Sequence, residues 1–172
     1  MASPPPPSSL KPPFTPHTAH LKVKAGQALW NTRDPARVIR AYTPDCIWRN
    51  RDTFVRGHEE IKAFLAGKWE KEREYRLRKE LFAVDASEGG KNNKIAVQFW
   101  YEYAEKAHPD YEDGPVPKRW RRCYGLEHWT FNAEGVMEKR MMSGNEIEIS
   151  EEQRWFKDGV DVDSVVLPEG HF

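Results

Sequence analysis

Residues 119–149 read RWRRCYGLEHWTFNAEGVMEKRMMSGNEIEI, two stretches of strand character around the tetrapeptide NAEG. NAEG has the form of a type I turn followed by a glycine at positive φ, the three-residue loop of a β-hairpin. That loop pairs Asn132 with Val136 and Phe131 with Met137. Continued without interruption, it sets Trp129 against Lys139, Glu127 against Met141, Gly125 against Ser143 and Cys123 against Asn145. Directly opposed residues share a face. One face of the hairpin then carries Phe131, Trp129, Glu127, Met141, Ser143 and Asn145, apolar near the turn and polar further along. The other face sets Arg122 against Glu146 as a surface ion pair, and His128 against Arg140. A slip of one residue would instead bring Glu127 to Arg140 and turn the carboxylate into a structural salt bridge. A carboxylate on an otherwise uncharged face needs a reason in either register.

Outward from the hairpin, EYRLRKELFAV (74–84) and KIAVQFWYEY (94–103) continue the run of long strands rich in branched and aromatic residues. In the first, Tyr75, Leu77, Lys79, Leu81 and Ala83 form the inward set, interrupted by Lys79. In the second, Ile95, Val97, Phe99, Tyr101 and Tyr103 do. An earlier short strand, CIWRNR (46–51), places Trp48 and Asn50 on one side. Helices precede the strands. Thr15-Pro16 and Asp34-Pro35 are cap-plus-proline starts. RGHEEIKAFLAGKWEKER (56–73) has Ile61, Phe64, Leu65 and Trp69 on one face. Helices followed by a run of strands predict an α+β domain, with the helices on one face of an antiparallel sheet. We read residues 1–14 as a disordered proline-rich tail, 15–150 as the domain and 151–172 as a C-terminal extension anchored by Trp155 and Phe156.

Composition narrows the functions. The 172 residues carry 27 Lys and Arg against 27 Asp and Glu, a formal charge of zero. Proteins built to neutralise phosphates are usually clearly basic, and Arg119, Arg121 and Arg122 stand beside acidic residues 110, 112 and 113. Nucleic acid is therefore not the expected partner. No apolar run is long enough to span a membrane. Two cysteines, Cys46 and Cys123, suit a reducing compartment better than a disulfide scaffold, so we expect a cytoplasmic protein, with a nuclear location also open. His17 and His20 form an H-x-x-H with no third ligand, and neither a metal nor a cofactor is expected.

The segments WNTRDPARVIRAYTPDCIWRNR, GHEEIKAFLAGKW and EYRLRKELFA, the Tyr124 to Phe131 pattern and Ser143 with Asn145 are arranged as in one known family. The chain resembles, over residues 15–156, a domain family of unknown function in the nuclear transport factor 2-like superfamily, near its SnoaL-like, polyketide-cyclase-like branch. The resemblance implies a cone-shaped α+β barrel, about three N-terminal helices packed into a strongly curved antiparallel sheet. It admits cyclases, isomerases, dehydratases and hydrolases, and also non-catalytic binding or dimerising domains, so the chemistry stays open.

Together these readings predict a hollow holding Asn50, Lys79, Tyr101, Glu127, Ser143 and Asn145, with Trp48, Trp69 and Trp129 as its apolar walls. The expected ligand is a small, partly apolar organic molecule. Glu127 is the candidate general base, its pKa raised toward neutrality by desolvation. Asn145 is the candidate donor to a developing oxyanion. The structural alternative pairs Glu127 with Lys79. A homodimer through the outer face of the sheet, at Trp100 and Phe82, is the expected assembly.

Overall fold

A computed structural model of the protein describes residues 10–106 and 118–172. The loop after Lys106 and residues 1–9 of the proline-rich tail lie outside the described residues. Helix α1 spans Pro16–Asn31, and Thr15 caps it through a reciprocal pair of bonds with Thr18. A short α2, Pro35–Val38, starts on the Asp34 carboxylate, which accepts from the Ala36 and Arg37 amides. Strands β1 (Tyr42–Asn50) and β2 (Thr53–Arg56) form a hairpin, and α3 (Gly57–Lys71) follows. The four long strands are β3 (Glu72–Val84), β4 (Lys94–Glu105), β5 (Trp120–Phe131) and β6 (Met137–Ile149).

The six strands lie in the order β2-β1-β6-β5-β4-β3. Four neighbouring pairs are antiparallel, as expected, but β1 and β6 run parallel, so the sheet is mixed and open. Register shifts near Arg73, Leu81 and Thr130 mark bulges, which bend the strands that carry them. The inner face packs on α1 and α3 around Trp30, Trp48, Leu65, Trp69 and Val97.

An edge strand leaves backbone groups unpaired, a liability that folds must cover. Helix α1 covers the free edge of β3 with side chains. Asn31 donates to the Leu77 carbonyl and accepts from its amide, both at 2.8 Å. Gln27 accepts from the Lys79 amide at 2.7 Å, and Lys24 donates to the Lys79 carbonyl at 2.8 Å. The backbone of Lys79 is thus held on its open side by one helix.

Two expectations change at the termini. Residues 10–14, assigned to the tail, pack on the body, with Phe14 buried edge-on against Phe131. The C-terminal extension crosses the outer face of the sheet and buries Trp100 together with Phe156, Val162 and Leu167. Trp100, expected to face a partner, is therefore covered by the chain's own end, whereas Phe82 is exposed.

Candidate functional site

The register decides the site. Asn132 and Val136 pair across the NAEG loop, and Phe131 opposes Met137, as the turn chemistry demands. The register then shifts by one residue: Thr130 opposes Lys139, and Glu138 is the extra residue of a bulge. From there Trp129 opposes Arg140, Glu127 opposes Met142, and Gly125 opposes Gly144. The inner face of β6 consequently carries Arg140, Met142 and Glu146, not Met141, Ser143 and Asn145. Ser143 and Asn145 are exposed on the outer face, so Asn145 does not stand beside Glu127. Glu146 opposes Cys123 on the inner face, and Arg122 pairs elsewhere.

At the centre of the cone lies a cluster of three charges. Glu127 and Arg140 are 2% exposed and Lys79 1%. One Glu127 oxygen accepts from Nε of Arg140 at 3.0 Å and from its Nη2. The other accepts from Nζ of Lys79 at 2.6 Å and from Nε1 of Trp129 at 2.6 Å. Arg140 Nη1 donates to Oδ1 of Asn50 at 3.1 Å. Aromatic rings take the place of water around the cations. Arg140 lies 4.7 and 4.6 Å from the Trp30 and Trp48 rings, and Lys79 5.0 to 5.5 Å from Phe99, Trp129 and Trp30.

This environment reverses the role expected of Glu127. Burial alone would raise its pKa, but Arg140 and Lys79 more than offset that and hold it at about 2. A carboxylate with both oxygens committed to donors is a fixed counter-ion, not a general base. Lys79 is the group brought near neutrality. Burial lowers it to about 8; Glu127 works against that fall and Arg140 adds to it. Two cations share one carboxylate, and the ammonium is the one that can shed its proton.

The cluster floors a narrow cavity of about 10 Å³, space for roughly one water. Of the residues predicted to bind, Asn50, Lys79, Tyr101 and Glu127 line it. Trp48, Trp69 and Trp129 do not, and stand behind the lining as packing. Arg140, Tyr75, Lys68 and Met142 line it and were absent from the predicted set. Tyr75 could have been found from alternation alone, but Arg140 and Met142 could not, since the bulge that turns both inward has no marker in EKRMM. At the rim, Lys68 sits 4.3 Å over the Tyr101 ring and pairs with Glu72 at 2.6 Å. Glu146 accepts there from Arg51 at 2.7 Å, Tyr101 at 3.0 Å and Tyr103 at 3.1 Å.

Other sequence candidates take structural places. Burial raises the Cys123 thiol to about 11 and Cys46 to about 12, which leaves both inert. Arg119 and Arg121 pair with Glu105 and Glu148 on the surface. Among the described residues no group of three His, Cys, Asp or Glu could hold a metal, and no helix is long and apolar enough to cross a membrane.

Comparison with known proteins agrees with this architecture. Residues 12–157 match the family described as "Protein of unknown function (DUF1348)". No curated protein matches the sequence. Among solved structures, the epoxide hydrolase/cyclase-like enzyme SalBIII of pyran ring formation in salinomycin superposes with a TM-score of 0.59. Its identity is 10%, over 77% of this chain and 95% of that one. A candidate polyketide cyclase from Pseudomonas putida KT2440 gives 0.54 at 17% identity, over 74% and 91%. The BvnE pinacolase from Penicillium brevicompactum gives 0.53 at 11% identity, over 74% and 85%. At such identities the likeness is one of fold, the curved sheet packed on helices that these enzymes share.

Proposed function

The chain belongs to the DUF1348 family of unknown function, and we propose from that premise that it binds a small, partly apolar organic molecule inside the cone. The observation that carries this reading is the convergence of Asn50, Tyr75, Lys79 and Arg140 on one narrow hollow with aromatic walls. A buried ion cluster is seldom the most stable filling for a core, since well-packed apolar residues often do as well or better. Convergent polar groups in a dry hollow are what recognition of a carbonyl or carboxylate requires. The enzymes sharing this fold support a catalytic use of the site. In that use Lys79 exchanges a proton with a carbonyl-bearing substrate, its pKa close enough to neutrality for either direction. Glu127 fixes the geometry and Arg140 stabilises negative charge developing on oxygen.

A second reading, a non-catalytic binding or dimerising module, is supported by the small volume of the cavity, which the chain's own side chains nearly fill. Its partner surface would be the outer strip of β5 and β6, where Leu126 and Ile147 are exposed. A second copy of the chain is the proposed occupant. Native mass spectrometry of protein purified from its own cells separates the readings. A retained small molecule that disappears in Lys79→Met supports the ligand site. A dimer without bound mass, broken by Leu126→Glu, supports the module and removes the ligand reading.

A further inference from the structure

The interior cluster does not balance its charge. Lys79 and Arg140 bring two positive charges and Glu127 one negative. All four donor contacts to the Glu127 oxygens are taken, by Arg140 twice, by Lys79 and by Trp129. The charges at the rim form neutral pairs, Lys68 with Glu72 from the end of α3 and the start of β3, and Arg51 with Glu146. On α1, Lys24 meets only the backbone of Lys79 and is paired outside with Glu80 and Asp163. The hollow therefore keeps an excess of one cation when Lys79 is protonated.

It also keeps unused donors. Lys79 Nζ can donate three bonds and makes one, to Glu127, among the described residues. Tyr75 is 3% exposed and lines the same cavity, and its hydroxyl makes no side-chain hydrogen bond among the described residues. Burial and the nearby carboxylates raise that hydroxyl well above its ordinary pKa, so it remains a donor. Tyr101, the other phenol on the lining, is already spent on Glu146 at the rim. Trp30, Leu77, Phe99 and Met142 make the apolar part of the wall, and Asn50, whose Oδ1 is taken by Arg140, adds a polar edge.

Surplus positive charge, two unspent donors, space for about one oxygen atom and an apolar surround specify a ligand end. We infer that the cavity seats one oxygen of the carboxylate of a small organic acid, held by Lys79 Nζ and Tyr75 Oη. This rests on the reading of the interior as a ligand site and narrows it to one chemical class. The bound carboxylate neutralises the surplus charge, and the organic tail runs toward Met142 and Lys68 at the rim. Neither an inorganic oxyanion nor chloride carries an organic tail to meet the apolar wall.

The test compares acids with their neutral isosteres. Thermal denaturation of the full chain at pH 7 and constant ionic strength is followed with acetate, propionate and benzoate, then with acetamide, propionamide and benzamide, against sodium chloride. The expected result is a rise in Tm with the carboxylates alone. Tyr75→Phe and Lys79→Met, both checked for native circular dichroism, weaken the apparent affinity about tenfold or more, as loss of a hydrogen bond to a charged group does. Affinity in the wild type holds from pH 6 to 7 and falls about tenfold per unit once Lys79 deprotonates. Equal stabilisation by the amides overturns the carboxylate assignment and leaves the ligand site standing. The assignment also falls if chloride matches the acids, if no acid stabilises the wild type, or if folded Lys79→Met responds undiminished. A molecule retained from cells in the native measurement still speaks for the ligand site in those cases.

Discussion

Two carboxylates of the central strands, Glu102 on β4 and Glu127 on β5, are almost equally buried at 1% and 2% exposed. Each pairs with an arginine beneath a tryptophan, yet they sit on opposite faces of the sheet and do different things. On the outer face, Glu102 pairs with Arg122 at 2.7 Å and accepts the backbone amides of Trp155 and Phe156 at 3.0 Å. Arg122 stacks 3.3 Å from the Trp155 ring and reaches the Gln153 carbonyl. One charge meets one charge, and the contacts clamp the C-terminal extension to the sheet. On the inner face, Glu127 meets two cations, one of which has donors to spare and a cavity in front of it. Balance marks a fastening; surplus beside a void marks a site.

The contrast can be broken by experiment, beginning with the strongest effect. Glu127→Ala leaves two buried cations without their carboxylate and is expected to cost about 3–5 kcal/mol in urea denaturation. A loss below about 1 kcal/mol would show that the inner cluster is solvated in solution. Acid acts on the same group. Its pKa is about 2 in the folded chain against an ordinary 4.5, so the stability it gives is present above 4.5 and disappears as pH falls toward 2. About 3 kcal/mol should be lost over that window. Denaturation curves of Glu127→Gln should show a shallower fall there, and an unchanged slope would contradict the assignment.

Glu102→Ala is expected to cost less, about 2–3 kcal/mol, because the extension can lift and return its amides to water. Hydrogen exchange should rise across 151–172 and leave β5 protected. Exchange spreading into β5 would mean that the two clusters form one unit. Lys79→Met has the smallest effect and the opposite sign to the others: neutral, or stabilising by about 1 kcal/mol, since it removes the surplus charge. The pH dependence sharpens this. A lysine lowered from 10.5 to about 8 binds fewer protons folded than unfolded between those values, so stability rises with pH from about 8. Lys22, also lowered to about 8, adds to the rise. Above about pH 9 the buried thiols Cys46 and Cys123, raised from 9, offset the two lysines and level the curve, and the buried tyrosines, raised from 10, turn it downward beyond that. Lys79→Met should flatten the pH 8–9 segment by roughly half, and an unaltered segment would assign it to Lys22.

The sequence by itself determined the elements and most of their faces. Cap residues and prolines set the starts of α1 and α2, and alternation set Tyr75, Leu77 and Lys79 against Phe99 and Tyr101, because each signal is local in the chain. The inward turn of Glu127 was legible for the same reason. Lys79 and, by a slip of register, Arg140 were both offered as partners of that carboxylate, and only the tertiary structure decided that it meets the two together. A bulge at Glu138, stabilised by the packing of both strands, moved Arg140 inside and Ser143 and Asn145 outside. It thereby exchanged an amide for a guanidinium and a base for a counter-ion. The burial of Trp100 and Arg122 was likewise decided at a distance, by an extension whose contacts lie dozens of residues away. Alternation reports which residues share a face; only the assembled sheet, through the space it leaves and the charges it brings together, decides what that face meets.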